Sequence, residues 1–339
     1  MTADEIRDYI LNYRNRSLEE KIDMMNERLA FVIKYKGERN GDESKNIRAR
    51  QKKLKNYFGK TNQKVSLIEI YIEFIKSLET DSHGLGIGKS ELGLLIEAVS
   101  SGAVDLYDLC MMAYIKRRLK PAKEYENVKH MVVDEAQDFG AIVFYALKKF
   151  LPEATFTVMG DISQNINYYT GMNDWAELRS KVYNGEDDKF YILAKSYRNT
   201  IEISEYAGRI LSKCSFETYK IDPIIRHGRE VEIIEAKNNE ECLLKTVEAI
   251  EGIRSRGFDT VAVICRTEDE ALKVQRELEG KVDLVKNNFE SATFSKGVMV
   301  LPIALTKGLE FDAVILWEPN KENYGANDAE AKLLYVAVT

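Results

Sequence analysis

Through the first 120 residues, apolar positions recur at helical spacing; near Val128 they give way to short continuous runs. Ile6, Ile10 and Tyr13 mark one helix face, and Leu18, Ile22, Met25 and Leu29 mark another. The polar, basic stretch from Lys34 to Lys60 predicts a solvated helix pair with a loop at Gly41. A sharper reading makes it a phosphate-contacting surface, with Arg48, Arg50, Lys52, Lys53 and Lys55 as the contacts. The segment IYIEFIKSLET reads as helix, and Ser90 reads as the N-cap of the helix ELGLLIEAV.

Past Val128 the apolar runs HMVVD, FTVMGD and FYILAKS predict strands ending at residues 134, 161 and 196. A helix follows from about Thr200 to Ser212. The runs then resume as VEIIEA, TVAVICRT, VDLV, GVMVLPI and DAVILW, with amphipathic helices at Asn239–Ile253 and Glu268–Leu278. Buried runs alternating with helices imply an α/β chain with parallel sheets. There are two such blocks, divided near residue 200. We read residues 1–120 as a helical region, 121–200 as a first lobe whose sheet is incomplete, and 201–339 as a second lobe. In open parallel sheets ligands bind at the carboxyl ends of strands, so the chemistry belongs directly after the apolar runs.

Composition narrows this little. The chain has 339 residues, a net charge of −6 and 31% charged residues, a globular balance. An acidic total excludes indiscriminate coating of nucleic acid but not a local basic groove. The four cysteines Cys110, Cys214, Cys242 and Cys265 form no CxxC pair, which argues against a zinc site or a disulfide framework and suits a cytoplasmic protein. No stretch reads as a membrane span or a signal peptide.

Four motifs follow the apolar runs. In Val132-Val133-Asp134-Glu135-Ala136-Gln137-Asp138, a strand closes on adjacent carboxylates. In phosphoryl transfer the first holds Mg²⁺ and the second orients or deprotonates the attacking water. The bland alternative is an acidic helix cap. In Gly160-Asp161-Ile162-Ser163-Gln164, the glycine permits a tight turn and Gln164 offers an amide to a terminal phosphate. Tyr168, Tyr169 and Trp175 come soon after; they are base-stacking candidates, or else packing. In Ser196-Tyr197-Arg198-Asn199-Thr200, Arg198 can clamp a phosphate and Tyr197 can stack on adenine. In Thr306-Lys307-Gly308-Leu309-Glu310-Phe311-Asp312, the glycine admits close approach and Glu310 can accept from a ribose hydroxyl.

VVDEAQD, GDISQNI, SYRNT and TKGLEFDAVIL stand in the order of motifs II to V of the UvrD/Rep-type superfamily 1A DNA helicases, which this chain resembles from about Asp105 onward. NVKHMVVDEAQDF and VLPIALTKGLEFD look most like the helicase IV/HelD-like branch. The resemblance implies two RecA-like lobes and an ATP- and Mg²⁺-dependent motor on single-stranded DNA or a DNA junction. It assigns Asp134 to Mg²⁺, Glu135 to base catalysis, and Gln164 and Arg198 to the γ-phosphate. Gln137, Tyr197, Lys307, Gly308 and Glu310 complete the nucleotide contacts, and Thr306 joins Tyr168, Tyr169 and Trp175 on the DNA side. Family members often carry a histidine in motif V; alignment on Lys307-Gly308 puts Ala304 there, so no histidine contact is implied.

Two family elements lack a match. The P-loop GxxxxGK[ST] is approached by Gly84-Leu85-Gly86-Ile87-Gly88-Lys89-Ser90, but His83 occupies the first glycine's place. Leu334-Tyr335-Val336-Ala337-Val338-Thr339 opens motif VI without reaching its arginine. We therefore expect an internal piece of a longer motor whose P-loop lies upstream, and a second lobe without a large helical insertion. The rival readings are a HelD-like motor that releases or recycles RNA polymerase and an AddA-like helicase–nuclease subunit.

Overall fold

The computed structural model describes residues 2–13, 16–60, 66–80, 87–121, 125, 127–216, 218–219, 222–223, 225–285 and 295–339. The chain divides into two compact units, one of residues 1–132 and 142–157, the other of residues 133–141 and 158–339.

The first unit is mostly helical. Its leading helices α1 (Ala3–Asn12) and α2 (Leu18–Arg39) open on reciprocal caps, Thr2 with Glu5 and Ser17 with Glu20, which satisfy amides that a helix start leaves unpaired. The turn at Gly41, which lies in left-handed backbone, returns the chain into α3 (Ser44–Lys53), so the expected helix pair is present. Gly37 lets the pair close: a Cβ there would stand 2.6 Å from Ile47 Cγ1. Arg48, Arg50, Lys52, Lys53 and Lys55 are all exposed, and Arg50 pairs with Asp42 at 2.8 Å.

Helices α4 (Leu67–Thr80), α5 (Lys89–Ser100) and α6 (Leu106–Leu119) bury Tyr71, Ile75, Leu92 and Val99 together. The Tyr71 hydroxyl donates to Asp108 Oδ1 at 2.7 Å, which satisfies a polar tip inside an apolar layer. Ser90 is not the N-cap expected from the sequence. Helix α5 starts two residues earlier than that cap would place it, at Lys89 after the N-cap Gly88, whose amide donates to Glu91. Of the P-loop-like stretch, Gly84, Leu85 and Gly86 lie outside the described residues. Strands β1 (His130–Val133) and β2 (Thr155–Val158) pair with each other, and α7 (Ala141–Phe150) lies between them in the chain. The imidazole nitrogens of His130 stand 2.7 Å from Thr155 Oγ1 and 3.0 Å from Thr157 Oγ1.

The second unit is built on a parallel sheet with β5 (Thr260–Cys265) between β6 (Gly297–Pro302) and β7 (Ala313–Leu316). Every residue of β5 is buried, as a central parallel strand covered on both faces requires. Alternation divides its side chains. Val261, Val263 and Cys265 pack toward α10 (Asn239–Arg254) and α11 (Glu268–Leu278), against Ile250, Ile253, Val274 and Leu278. Ala262 and Ile264 pack with Ile303, Tyr324 and α12 (Asp328–Val338). Asn238, Thr267 and Asn327 cap the three helices. Arg266, directly after β5, grips Glu330 of α12 through two nitrogens at 2.6 and 3.2 Å, a forked charged contact. Helix α9 (Ile201–Leu211), capped by Thr200, buries Ala207 and Leu211 beside Tyr335.

Several expected strands are absent. Of FYILAKS only Lys195–Ser196 pairs, as β3, with β4 (Asp222–Pro223), and Tyr191 and Leu193 are largely exposed. VEIIEA has no regular structure, and VDLV reaches the sheet only through a bridge from Leu284 to Val298. A β-branched run supplies strand propensity, but a ladder needs a partner edge. The cysteines are free, and among the described residues no helix is long and apolar enough to cross a membrane.

The carboxylate of Asp312, just before β7, accepts from the Asp259 and Thr260 amides at 2.9 and 2.8 Å and from Thr260 Oγ1 at 2.9 Å. These bonds, chiefly that of the Thr260 amide, hold its pKa below the ordinary value. Asp312→Ala should cost about 1–2 kcal/mol in urea unfolding, the lower range for charged hydrogen bonds because the side chain is exposed. The folded pKa is the lower one, so the contribution is present above the ordinary value of 3.8 and fades as pH falls through the folded value. The gap between wild type and mutant should therefore narrow in acid. Equal urea midpoints at neutral pH would show that the carboxylate does not clamp the two strands.

Candidate functional site

All thirteen site residues expected from the sequence lie in the second unit. Beyond Val133, Asp134 is exposed, and its Oδ1 accepts the Glu135 amide at 2.8 Å. Glu135 adopts φ 50°, ψ 38°, in the left-handed region. That conformation costs a residue with a Cβ about 1–2 kcal/mol. The turn reverses the backbone into a short 3₁₀ helix, Ala136–Asp138, and the Ala136 amide reaches the Met159 carbonyl at 2.8 Å. Neither carboxylate caps the short helix. The acidic-cap alternative is therefore not realised, and both acids face other partners.

Gln137 organises the site from inside. It is fully buried, and its side chain spans two loops: Oε1 accepts the Asp161 amide at 2.9 Å and Nε2 donates to Glu135. Its backbone carbonyl accepts the Met172 amide at 2.9 Å. Gly160 is required by this approach and not by a turn needing positive φ: a Cβ there would stand 2.2 Å from Gln137 Oε1. Gln164 closes the adjacent 3₁₀ turn, Ile162–Gln164, and donates to Asp161 Oδ2 at 3.1 Å.

The Thr306–Phe311 loop brings in the third member. Lys307, whose side chain is 12% exposed, places Nζ 2.6 Å from Asp138 Oδ1 and 3.3 Å from Glu135 Oε2. Glu135, Gln137, Asp138, Asp161, Gln164 and Lys307 thus form one connected polar cluster drawn from three loops. Arg198 and Glu310 form a second pair, Nε to Oε1 at 2.7 Å, with both side chains more than half exposed. Tyr197 is exposed beside it in sequence, and Gly308 is left-handed at φ 78°. Thr306 is buried, and its hydroxyl donates to the Ile303 carbonyl at 2.9 Å.

The aromatic residues separate. Tyr169 is 91% exposed, and the Tyr168 ring meets it edge-on at 5.4 Å. Burial pushes the Tyr168 phenol up. Trp175 is buried at the start of α8 (Trp175–Lys181), with its ring near Phe190. Sequence reasoning missed Asp138, Asp161, Asn165, Asn173 and Lys332 as structural parts of this region. Asp138 and Asp161 stand inside motifs already in view, whereas nothing in local spacing links Asn173 to Lys332.

Residues 297–339, which hold β6, the Thr306–Phe311 loop, β7 and α12, match the family model of the UvrD-like helicase C-terminal domain. A solved structure described as the C-terminal domain of a possible DNA helicase from Lactobacillus plantarum WCFS1 is similar over 42% of this chain and 80% of that one, at 28% identity and a TM-score of 0.33. No curated protein matches the chain. Residues 297–339 are therefore similar to the C-terminal domain of UvrD-like helicases.

Proposed function

We propose that this chain is part of an ATP-dependent DNA helicase or translocase of the UvrD/Rep type, with residues 121–200 and 201–339 forming parts of two RecA-like lobes and residues 1–120 a helical accessory region. The observation that carries this reading is the convergence of the Asp134–Asp138, Asp161–Gln164 and Thr306–Glu310 loops, remote in sequence, on one cluster around Gln137. These are the segments that the motif order assigned to nucleotide.

The donor set fits magnesium nucleotide. Among the described residues no cluster of three or more His, Cys, Asp or Glu could hold a metal alone. Mg²⁺ bound to phosphates needs only one or two protein carboxylates, and Asp134 offers an exposed one. Bound Mg²⁺ would neutralise charge developing on the phosphates. Glu135 serves as the base that accepts a proton from the attacking water. Lys307 neutralises Glu135 in this arrangement, so the base comes free only when that ion pair opens. Arg198 and Glu310, now paired with each other, exchange that contact for phosphate and ribose. Gln164, anchored on Asp161 through one amide N–H, keeps its second N–H for an oxygen of the terminal phosphate and its carbonyl to accept from the attacking water. Tyr169 is the ring available to stack on a base. The helicase IV/HelD-like affinity rests on the motif wording alone.

Three measurements test this reading. Arg198→Ala should weaken binding of a fluorescent ATP analogue with Mg²⁺ by about tenfold or more, the scale of a lost charged hydrogen bond. In the longer motor that carries the P-loop, Glu135→Gln should lower kcat by about 10²–10⁴ while leaving nucleotide affinity within a few-fold, whereas residues 1–339 alone should show no measurable hydrolysis. Tyr169→Ala should weaken binding of an oligo-dT strand by about 1–3 kcal/mol, read by anisotropy. Nucleotide affinity indifferent to Arg198, or hydrolysis indifferent to Glu135, would refute the motor assignment. Unchanged oligo-dT affinity would remove Tyr169 from the DNA contact.

A further inference from the structure

Helix α12 carries a fully buried charged side chain that the proposed chemistry does not use. Lys332 is fully buried. Its Nζ donates to Asn173 Oδ1 at 2.7 Å and lies 4.2 Å from the Phe216 ring centroid and 5.4 Å from that of Tyr168. Ring faces and one neutral amide replace only part of the hydration that an ammonium loses on burial. Two of these three neighbours, Tyr168 and Asn173, belong to the loop that leads from Gln164 past the exposed Tyr169.

The same loop is imperfectly satisfied elsewhere. Asn165, fully buried, donates through Nδ2 to the Met172 carbonyl at 3.1 Å and to Asn173 Oδ1 at 2.9 Å. Its own Oδ1 is buried without a hydrogen-bond partner among the described residues. An unpaired buried acceptor costs the desolvation of that group. Both groups regain water if the loop lifts, so docking of residues 165–173 works against two polar penalties at once.

We propose that Lys332 is the release element of a latch: its buried ammonium keeps the Asn165–Asn173 loop weakly docked on α12, ready to lift and carry Tyr169 with it. The use of that motion in DNA handling rests on the function proposed above; the latch itself does not. A methionine would fill the same space without the charge, so the lysine matters for what it destabilises.

The groups facing Lys332 set the sign of a pH dependence. Asp328 lies one helical turn earlier on α12, Asp161 comes from the 3₁₀ turn and Cys214 from beyond α9; all three favour the ammonium. Burial outweighs them and pulls Lys332 down to about 8. The Cys214 thiol and the Tyr168 and Tyr335 phenols are pushed up, and the Asp328 carboxyl is held down by Ser215. The lysine is therefore the group that changes charge just above neutrality. With the loop lifted, Lys332 returns toward its ordinary 10.5. The open form then binds more protons between about 8 and 10.5, so raising the pH across that range favours the docked loop.

The test is amide hydrogen exchange of the full chain without DNA or nucleotide, which separates it from the function reading. The reporter is Met172, whose amide bonds to the Gln137 carbonyl, and β5 amides report global unfolding. Intrinsic rates are divided out at each pH. We expect Lys332→Met to raise protection at Met172 by about tenfold or more at about pH 7, the scale of a one-unit pKa difference. Wild-type protection there should rise by a similar factor between about pH 7 and about pH 9.5, while Lys332→Met stays flat. Lower protection in Lys332→Met would make the lysine an anchor and overturn the latch. Unchanged protection with no wild-type pH dependence would overturn it too. If Lys332→Met fails to fold, the wild-type pH series alone decides: a rise at Met172 that β5 does not share supports the latch, and its absence refutes it.

Discussion

A buried amide fixes the geometry of this site. Gln137 can be fully enclosed only if its polar atoms are paired, and it pairs them with two different loops, the Asp161 amide on one side and Glu135 on the other. That requirement explains Gly160, since any side chain there would displace the amide oxygen. It also accounts for the left-handed Glu135: the chain must reverse directly after β1 for Gln137 to point inward, and the cost of that backbone is met by the bonds that follow. The other polar side chains of the cluster are then held by their neighbours. Glu135 is held from below by Gln137 and from the side by Lys307, while Gln164 hangs from Asp161.

The parallel sheet supplies the platform for the third loop. Because β5 is buried on both faces, its alternating side chains commit α10 and α11 to one side and α12 to the other. Arg266 and Asp312 then act at opposite ends of the strand, one gripping α12 and the other tying β7 to the start of β5. Between these fixed points β6 delivers the Thr306–Phe311 loop, so Lys307 arrives at Asp138 from a rigid edge. Function sits on loops and precision comes from the sheet.

The two buried polar centres behave in opposite ways. Gln137 is neutral and paired through both side-chain atoms, so it rigidifies. Lys332 is charged and leans on a neutral amide and ring faces, so it is held less securely. Both contact the chain that runs from Gly160 to Asn173: the Gln137 side chain at Asp161 and its carbonyl at Met172, and Lys332 at Asn173. That segment is therefore firmly set where Gln137 grips Asp161, and Lys332 weakens its docking where it displays Tyr169.

The sequence by itself determined the helices described within the first 120 residues, the Gly41 turn, helices α9, α10 and α11, the core strands β5, β6 and β7, and the order of the motif loops. Each of these is a local matter: period, caps and continuous apolar runs act over neighbouring residues. It overstated FYILAKS, VEIIEA and VDLV, because strand propensity is local but a ladder partner is not. It also moved the α5 cap to Ser90, whereas the helix opens directly after Gly88, whose amide donates to the Glu91 side chain. Only the tertiary structure decided that Trp175 is buried while Tyr169 is exposed, since a bare aromatic residue carries no record of which surface covers it. Only the tertiary structure brought Lys307 to Glu135, Arg198 to Glu310 and Lys332 to Asn173. Those pairings join residues far apart in the chain, and they exist because the packed sheet and helices carry both partners to the same place, not because any local pattern specifies them.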